Sequence, residues 1–363
     1  MRIAVAMSGG VDSSVAAFIL AREGHDVVGL TMRLWSDGEG VEGGVRSCFG
    51  PEATSASERV ASELGIPHQV LPMQDLFESE VVSDFVSEYA RGRTPNPCVS
   101  CNAALKFGEL LARARGLGAD ALATGHHARI VGVAPEGLRL ARARDGRKDQ
   151  SYFLYRLHRE DLALLRFPVG ELEKEEVRRL AREAKLHTAD RPESQDVCFA
   201  SSTGIGPLLR KRVPGAARPG PILDGEGDVV GEHRGVGFYT VGQRSGLGLS
   251  GPRAQYVVAI DAARNALVVG EEEELYSRSL LANGAHWTGP TPAHEFRAKA
   301  KVRSTSAPAA CLVRRDGEHL HVEFDEPERA ISPGQAVVLY DGEIVLGGAT
   351  IEGRRHGRVP GRA

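Results

Sequence analysis

Ser8-Gly9-Gly10-Val11-Asp12-Ser13-Ser14 follows an apolar run, Ile3 to Met7, and leads into a stretch of helical spacing, Ser13 to Arg22. An apolar run of this length entering a Gly turn reads as a buried first strand, too short to be an export signal. Two glycines let backbone approach a polyphosphate closely, and the hydroxyls of Ser8, Ser13 and Ser14 add donors. The start of the following helix adds a favourable dipole. Asp12 is the odd member, since a carboxylate beside phosphate is repulsive unless a cation such as Mg²⁺ lies between them; it is a candidate metal-side residue.

Working outward, runs at Val27 to Met32, His68 to Leu71 and Ala121 to Thr124 read as further strands. Ala53 to Leu64, Leu76 to Tyr89 and Ala103 to Arg115 have helical spacing, with Gly24, Gly65 and Gly116 at helix ends. Strands alternating with helices predict an α/β domain with a parallel sheet over residues 1–203, its ligands beyond the carboxyl ends of the strands. Past Cys198, Pro and Gly become frequent and Gln255 to Ile260 and Ala266 to Val269 read as short strands, a small mostly β domain over 204–277. Arg297 to Val302, Cys311 to Arg314, His319 to Phe324, Ala336 to Leu339 and Glu343 to Leu346 predict a C-terminal β-barrel over 278–353, and 354–363 reads as a flexible tail. There is no internal repeat.

The 363 residues carry a formal net charge of -3, so any nucleic acid must be held by local basic groups; Arg210-Lys211-Arg212 with Arg218 is the best run. No apolar segment approaches the roughly 20 residues that span a bilayer. Five cysteines without an export signal point to a reducing, cytoplasmic setting and to thiols kept for chemistry or metal. Asn96-Pro97-Cys98-Val99-Ser100-Cys101-Asn102 is expected just ahead of a helix starting near Ala103, where the helix dipole and Lys106 would favour a Cys101 thiolate. The Cys-x-x-Cys spacing alone admits a redox pair, half a metal site, or a nucleophile with a neighbour. Cys198 stands in Ser194-Gln195-Asp196-Val197-Cys198-Phe199; Cys311 reads as core, and Cys48 lies in a loop.

The nucleotide loop lacks the lysine of a P-loop and the dinucleotide glycine pattern. It resembles the SGGxDS loop of ATP pyrophosphatases, which adenylate an oxygen and release pyrophosphate. Taken with Gly92 to Pro97, Ala123-Thr124-Gly125-His126, Lys148-Asp149-Gln150-Ser151-Tyr152-Phe153-Leu154, Phe167 to Leu172 and Gly242 to Gly248, the chain resembles the bacterial tRNA-specific 2-thiouridylase family almost from end to end. That resemblance implies ATP binding at Ala6, Met7, Ser8, Gly9, Gly10, Val11, Asp12, Ser13, Met32 and Gly125, with Cys101 as nucleophile and Cys198 as persulfide carrier. It implies contact with the target uridine at Asn96, Pro97 and Cys98. Further tRNA contacts are implied at His126, Lys148, Asp149, Gln150, Arg303, Ser304 and Gln335, although Ser304 replaces an aromatic residue often found there.

One departure matters. Many relatives carry Asp three residues before the nucleophile, where this chain has Cys98. Cys98, Cys101 and Cys198 could then ligate an iron-sulfur cluster with one iron open to sulfide, an alternative to persulfide delivery. The expected partners are tRNA and a sulfur-carrier or cysteine-desulfurase-type donor. A nitrogen-transferring ATP pyrophosphatase would need an ammonia source, and no glutaminase-type Cys/His domain is visible. A non-catalytic RNA-binding protein has no use for intact Asp12, Cys101 and Cys198.

Overall fold

A computed structural model describes residues 1–34, 50–135, 137–192, 197–199, 205–250 and 253–354; Cys48, Ser194 to Asp196 and 355–363 lie outside them. Five strands form the first sheet: β1 (Arg2–Ala6), β2 (Asp26–Arg33), β3 (His68–Pro72), β4 (Ala121–Thr124) and the short β7 (Leu165–Arg166). They run parallel in the order β3-β2-β1-β4-β7. Alternation along β1 explains its burial on both faces. Ile3 and Val5 pack with Val11 and Val15 of α1 (Val11–Arg22), while Ala4 packs on the other side with Leu30, Met32 and Leu122. Ala6 lies level with Leu30 and with Thr124, so the loops leaving β1, β2 and β4 open along one edge.

Four further helical segments flank the sheet. α2 (Pro51–Leu64) ends at Gly65. α3 (74–90) has one wide turn at Glu78–Val82. α4 (97–116) starts at Pro97, six residues before the expected Ala103, and widens over Cys101–Glu109. Proline at the first helical position explains the early start, because it has no N–H to leave unsatisfied and its φ already suits the helix. α5 (Lys174–Glu183) opens with a reciprocal cap between Glu173 and Glu176.

The middle segment holds α6 (Gly206–Arg212) and a sheet of β8 (Gly220–Leu223), β9 (Val229–His233), β10 (Tyr256–Asp261) and β11 (Ala266–Gly270), in the order β10-β11-β8-β9. Six later strands close a barrel: β12 (Tyr276–Trp287), β13 (Glu295–Lys301), β14 (Ala309–Asp316), β15 (His319–Arg329), β16 (Ala336–Asp341) and β17 (Ile344–Arg354). The barrel closes where β12 pairs with β17. Arg354, where the tail was drawn, is the last residue of β17 and lies opposite Leu280. The boundary drawn at 278 falls inside β12.

Sequence reading missed a hairpin, β5 (Ala128–Val133) with β6 (Gly137–Arg142), that leaves the first sheet and joins the barrel edge through Ala141 opposite Ile344. Val338, Tyr340 and Val345 of the barrel share one apolar cluster with Leu140, Tyr152 and Leu154. The Tyr152 hydroxyl donates to Ala336 O at 2.8 Å, and Thr94 N donates to Pro333 O at 2.9 Å. First domain and barrel therefore share a core rather than a wet hinge. Tyr340→Ala, at a fully buried position, is expected to cost about 3–5 kcal/mol. It should lower a single cooperative melt; two separate transitions in the wild type would contradict the shared core.

Candidate nucleotide and sulfur-transfer site

The loop after β1 is closed by its own side chains. Ser13 Oγ accepts from Ser8 N at 3.2 Å and donates to Gly10 O at 3.1 Å, while Ser14 Oγ donates to Gly10 O at 2.8 Å. The Ser13 and Ser14 hydroxyls thus hold the turn, and the Ser8 hydroxyl lies 3.4 Å from Ser13 Oγ. Gly9 has φ 69° and a Cβ there would sit 2.6 Å from Ala53 O. Across the loop, a Cβ on Gly125 would sit 2.4 Å from Ser13 N. Both glycines are places where chain passes against chain. The side chains of Met7, Val11 and Met32 are buried, whereas Ala6 and Ser8 are partly open.

Asp12 is not left to a metal alone. Its Oδ1 accepts from Lys174 Nζ at 2.6 Å and lies 3.2 Å from His127 Nε2. Burial pushes the Asp12 carboxyl upward, but the His127 hydrogen bond and the Lys174 charge outweigh it and hold the group below its ordinary value. That pairing adds stability above the ordinary carboxylate range, and the contribution is lost as pH falls through the lowered value. Lys174 and His127 are both buried, and neither was found from sequence. The signals were there: His127 directly follows the quoted His126, and Lys174 opens a capped helix two residues after the quoted Leu172.

The thiols lie along α4 and beyond it. Cys98 is exposed in the first turn, with Asn96 as the residue before Pro97, and Cys101 is buried in the second turn. Because a helix dipole acts mainly within its first turn, it bears on Cys98 more than on Cys101. Cys101 belongs to the large apolar cluster and Cys198 packs against it, next to Phe199, whose ring meets Phe85 at 4.8 Å and Phe77 at 5.8 Å. Cys311 is core, its thiol pushed up to about 12 by burial.

Several residues expected to touch RNA face inward instead. The His126 ring packs against Phe107 and Phe167 with Nδ1 2.7 Å from Thr124 Oγ1, and burial holds it far below its ordinary pKa. The ring is covered, so any contact of His126 with RNA falls to its backbone. The Asp149 carboxylate, 1% exposed, accepts from Arg142 Nε at 2.8 Å and from the N–H groups of Ala143 and Ser151. Its side chain is likewise spent within the protein. Gln150 Oε1 accepts from His127 N at 2.9 Å, while Lys148 is partly exposed. Gln335 Nε2 donates to Thr94 O at 2.8 Å, beside Asn96. Arg303 donates to Val241 O and Ala330 O, and Ser304 O accepts from Lys301 Nζ at 2.7 Å.

Comparison with known proteins gives this arrangement a family. Residues 1–202 match the family model described as the tRNA methyl transferase HUP domain, 208–271 the tRNA methyl transferase PRC-barrel domain, and 277–351 the aminomethyltransferase beta-barrel domain. A protein of Symbiobacterium thermophilum named tRNA-specific 2-thiouridylase MnmA is 46% identical over 359 residues, 97% of this chain and 92% of that protein. One of the same name from Chloroflexus aggregans is 49% identical over 354 residues, 96% of this chain and 98% of that protein. The chain belongs to the tRNA-specific 2-thiouridylase family. Membership in the 2-thiouridylases brings the fold with it: a parallel-sheet domain of the ATP-pyrophosphatase type, a middle barrel-type domain and a C-terminal barrel. Among the described residues no helix is long and apolar enough to cross a membrane.

For this 2-thiouridylase family member, Gly125→Ala is the sharpest test of the nucleotide loop. A methyl group pressed against Ser13 N and the Asp12 carbonyl carbon has to push the loop open. ATP affinity should fall at least about tenfold, with the melting temperature little changed. Unaltered ATP binding by calorimetry would remove the loop from the nucleotide site.

Proposed function

We propose that the protein uses ATP to adenylate the 2-oxygen of the wobble uridine of tRNA and then replaces that oxygen with sulfur from a Cys198 persulfide, giving 2-thiouridine, AMP and pyrophosphate. It works in the cytoplasm with tRNA and a sulfur-carrier or cysteine-desulfurase-type donor. The observation that carries this reading is the pairing of a closed glycine loop carrying Asp12 with a helix carrying Cys101 against the apolar cluster on which Cys198 packs.

The uridine oxygen attacks the α-phosphorus and pyrophosphate leaves, which turns a poor leaving group at carbon 2 into AMP. The terminal sulfur of the Cys198 persulfide adds to carbon 2 and AMP departs with the oxygen. Cys101 thiolate then attacks the Cys198 sulfur, forming a Cys101–Cys198 disulfide and expelling the thiouridine. A dithiol reductant returns both cysteines to thiols. Release of hydrosulfide before attack is the variant of the same chemistry. The buried setting of Cys101 suits an intermediate that water would hydrolyse.

Mg²⁺ fits as a partner of the phosphates, since it binds through one carboxylate plus phosphate and water oxygens, and Asp12 offers one carboxylate beside the loop. When bound it neutralises phosphate charge; Lys174 supplies a second positive charge at Asp12. The uridine is expected against Asn96, Pro97 and Cys98; of these, Asn96 lines a polar cleft of about 180 Å³ together with Ser100 and Arg93.

The second reading, sulfide supplied through an iron-sulfur cluster on Cys98, Cys101 and Cys198, draws on the placement of Cys98 one helical turn before Cys101. Exposure of Cys98 against burial of Cys101 favours a bystander beside the base. Cys98→Ser purified in air should therefore keep substantial thiolation activity while Cys101→Ser and Cys198→Ser lose it. An iron-containing wild type whose Cys98→Ser variant is both iron-free and inactive would establish the cluster instead. Asp12→Ala should abolish tRNA-dependent pyrophosphate release with tRNA retention on filters unchanged; undiminished release would exclude Asp12 from adenylation.

A further inference from the structure

The peptide between Gly9 and Gly10 has no side chain on either flank, so its plane can turn over at little steric cost. In a trans peptide the C=O and the N–H point in opposite directions, so one orientation offers a polyphosphate the Gly10 N–H and the other offers it a repelling carbonyl. A nucleotide loop needs the first. Arg191 Nη1 donates to Gly9 O at 3.0 Å, which directs the Gly10 N–H away from the guanidinium. Among the described residues no backbone carbonyl takes that N–H, so it is available to a ligand.

The arginine is itself held. Arg191 N donates to Thr188 O at 3.1 Å, and Arg178 of α5 donates to Ala189 O at 2.7 Å and to Arg191 O at 3.3 Å. Ala189 packs in the same apolar cluster as Val11 and Val15 of α1. The arm that reaches Gly9 thus grows from the core on which α1 packs and from the helix whose first residue, Lys174, meets Asp12. At its tip Nη2 lies 3.8 Å from a Glu52 carboxylate that is 77% exposed, too far for a hydrogen bond. Gly9 O is the better-placed acceptor, and a charged donor makes the stronger kind of hydrogen bond.

We propose that Arg191 is a positioning residue for the nucleotide, locking the Gly9–Gly10 peptide with its carbonyl on the guanidinium and its N–H turned to the phosphates. This rests on the nucleotide reading of the loop given above. The ligand it serves is the polyphosphate of ATP, and inorganic pyrophosphate is the smallest probe of it.

The test uses the full chain as wild type, as Arg191→Met, which keeps the stem and removes the donors, and as Arg191→Lys, which keeps a charged donor. ATP and adenosine affinities are measured by calorimetry. The Gly10 amide is followed by NMR in glycine-labelled protein as pyrophosphate is added, with Gly10→Ala identifying the resonance. In wild type that amide should move to lower field as a charge-assisted bond forms. Arg191→Met should lose most of the movement and bind ATP at least about tenfold more weakly, with adenosine affinity changed less than about twofold. Arg191→Lys should restore the movement and most of the ATP affinity. An unchanged Gly10 movement in Arg191→Met, together with weakened ATP binding, would overturn the lock in favour of a direct guanidinium contact to phosphate. Wild-type ATP affinity in Arg191→Met would overturn it outright, and so would equal loss of ATP and adenosine, which marks a support of the fold alone. Where Arg191→Met fails to fold, Arg191→Ala gives the same comparison. A wild type that binds neither ATP nor pyrophosphate would instead remove the nucleotide reading itself.

Discussion

The ammonium of Lys174 is buried at the start of a helix and meets the Asp12 carboxylate at 2.6 Å. A buried charge of this kind is tolerated where opposite charge and hydrogen bonds meet it. The constraint reaches well beyond two residues. Asp12 stands in the first turn after β1, His127 follows β4 and Lys174 begins α5, so the contact draws three distant parts of the chain to one point. Gly9 and Gly125 are the spacing that this convergence demands, since a side chain at either would strike neighbouring backbone. A carboxylate held in this way is ready beside a polyphosphate without rearrangement, which is the advantage of preorganised charge.

The cysteines of the proposed sulfur transfer have a more apolar environment. Cys101 belongs to, and Cys198 packs against, the cluster that holds Phe77, Phe85 and Phe199. An activated uridine and a persulfide are both vulnerable to water, and an apolar wall limits its access. The widened turns that begin at Cys101 set it apart from the regular first turn carrying Cys98. Irregular turns of this kind tend to occur where a helix serves chemistry.

How much of this could be read in the residues follows from how local each feature is. The nucleotide loop was legible because strand, glycine turn and helix are contiguous, and the first-sheet strands were legible from unbroken apolar runs. The barrel strands showed through their alternation, as in His319 to Phe324, where Leu320, Val322 and Phe324 point inward. The motif 148–152 was quotable from sequence but not its orientation, because sequence gives residue type and not direction; the carboxylate of Asp149 and the ring of His126 are covered. Lys174 was missed for a related reason: a lysine amid Glu173, Glu175 and Glu176 reads as a solvated helix start, and only the fold brings Asp12 to it. The hairpin of 128–142 was missed because its pairing partner, Ile344, lies some two hundred residues away. The early start of α4 was legible in principle from Pro97 but was masked by reading Asn-Pro as loop.

The central claim is that the oxygen removed from the uridine leaves on AMP. It can be tested by supplying tRNA whose target uridine carries a heavy-oxygen label at its 2-position, with ATP and a persulfide donor, and weighing the AMP formed. Adenylation at that oxygen predicts one label in AMP for each thiouridine made, and none in water. Thiouridine accompanied by unlabelled AMP, with the heavy oxygen released to solvent, would contradict it.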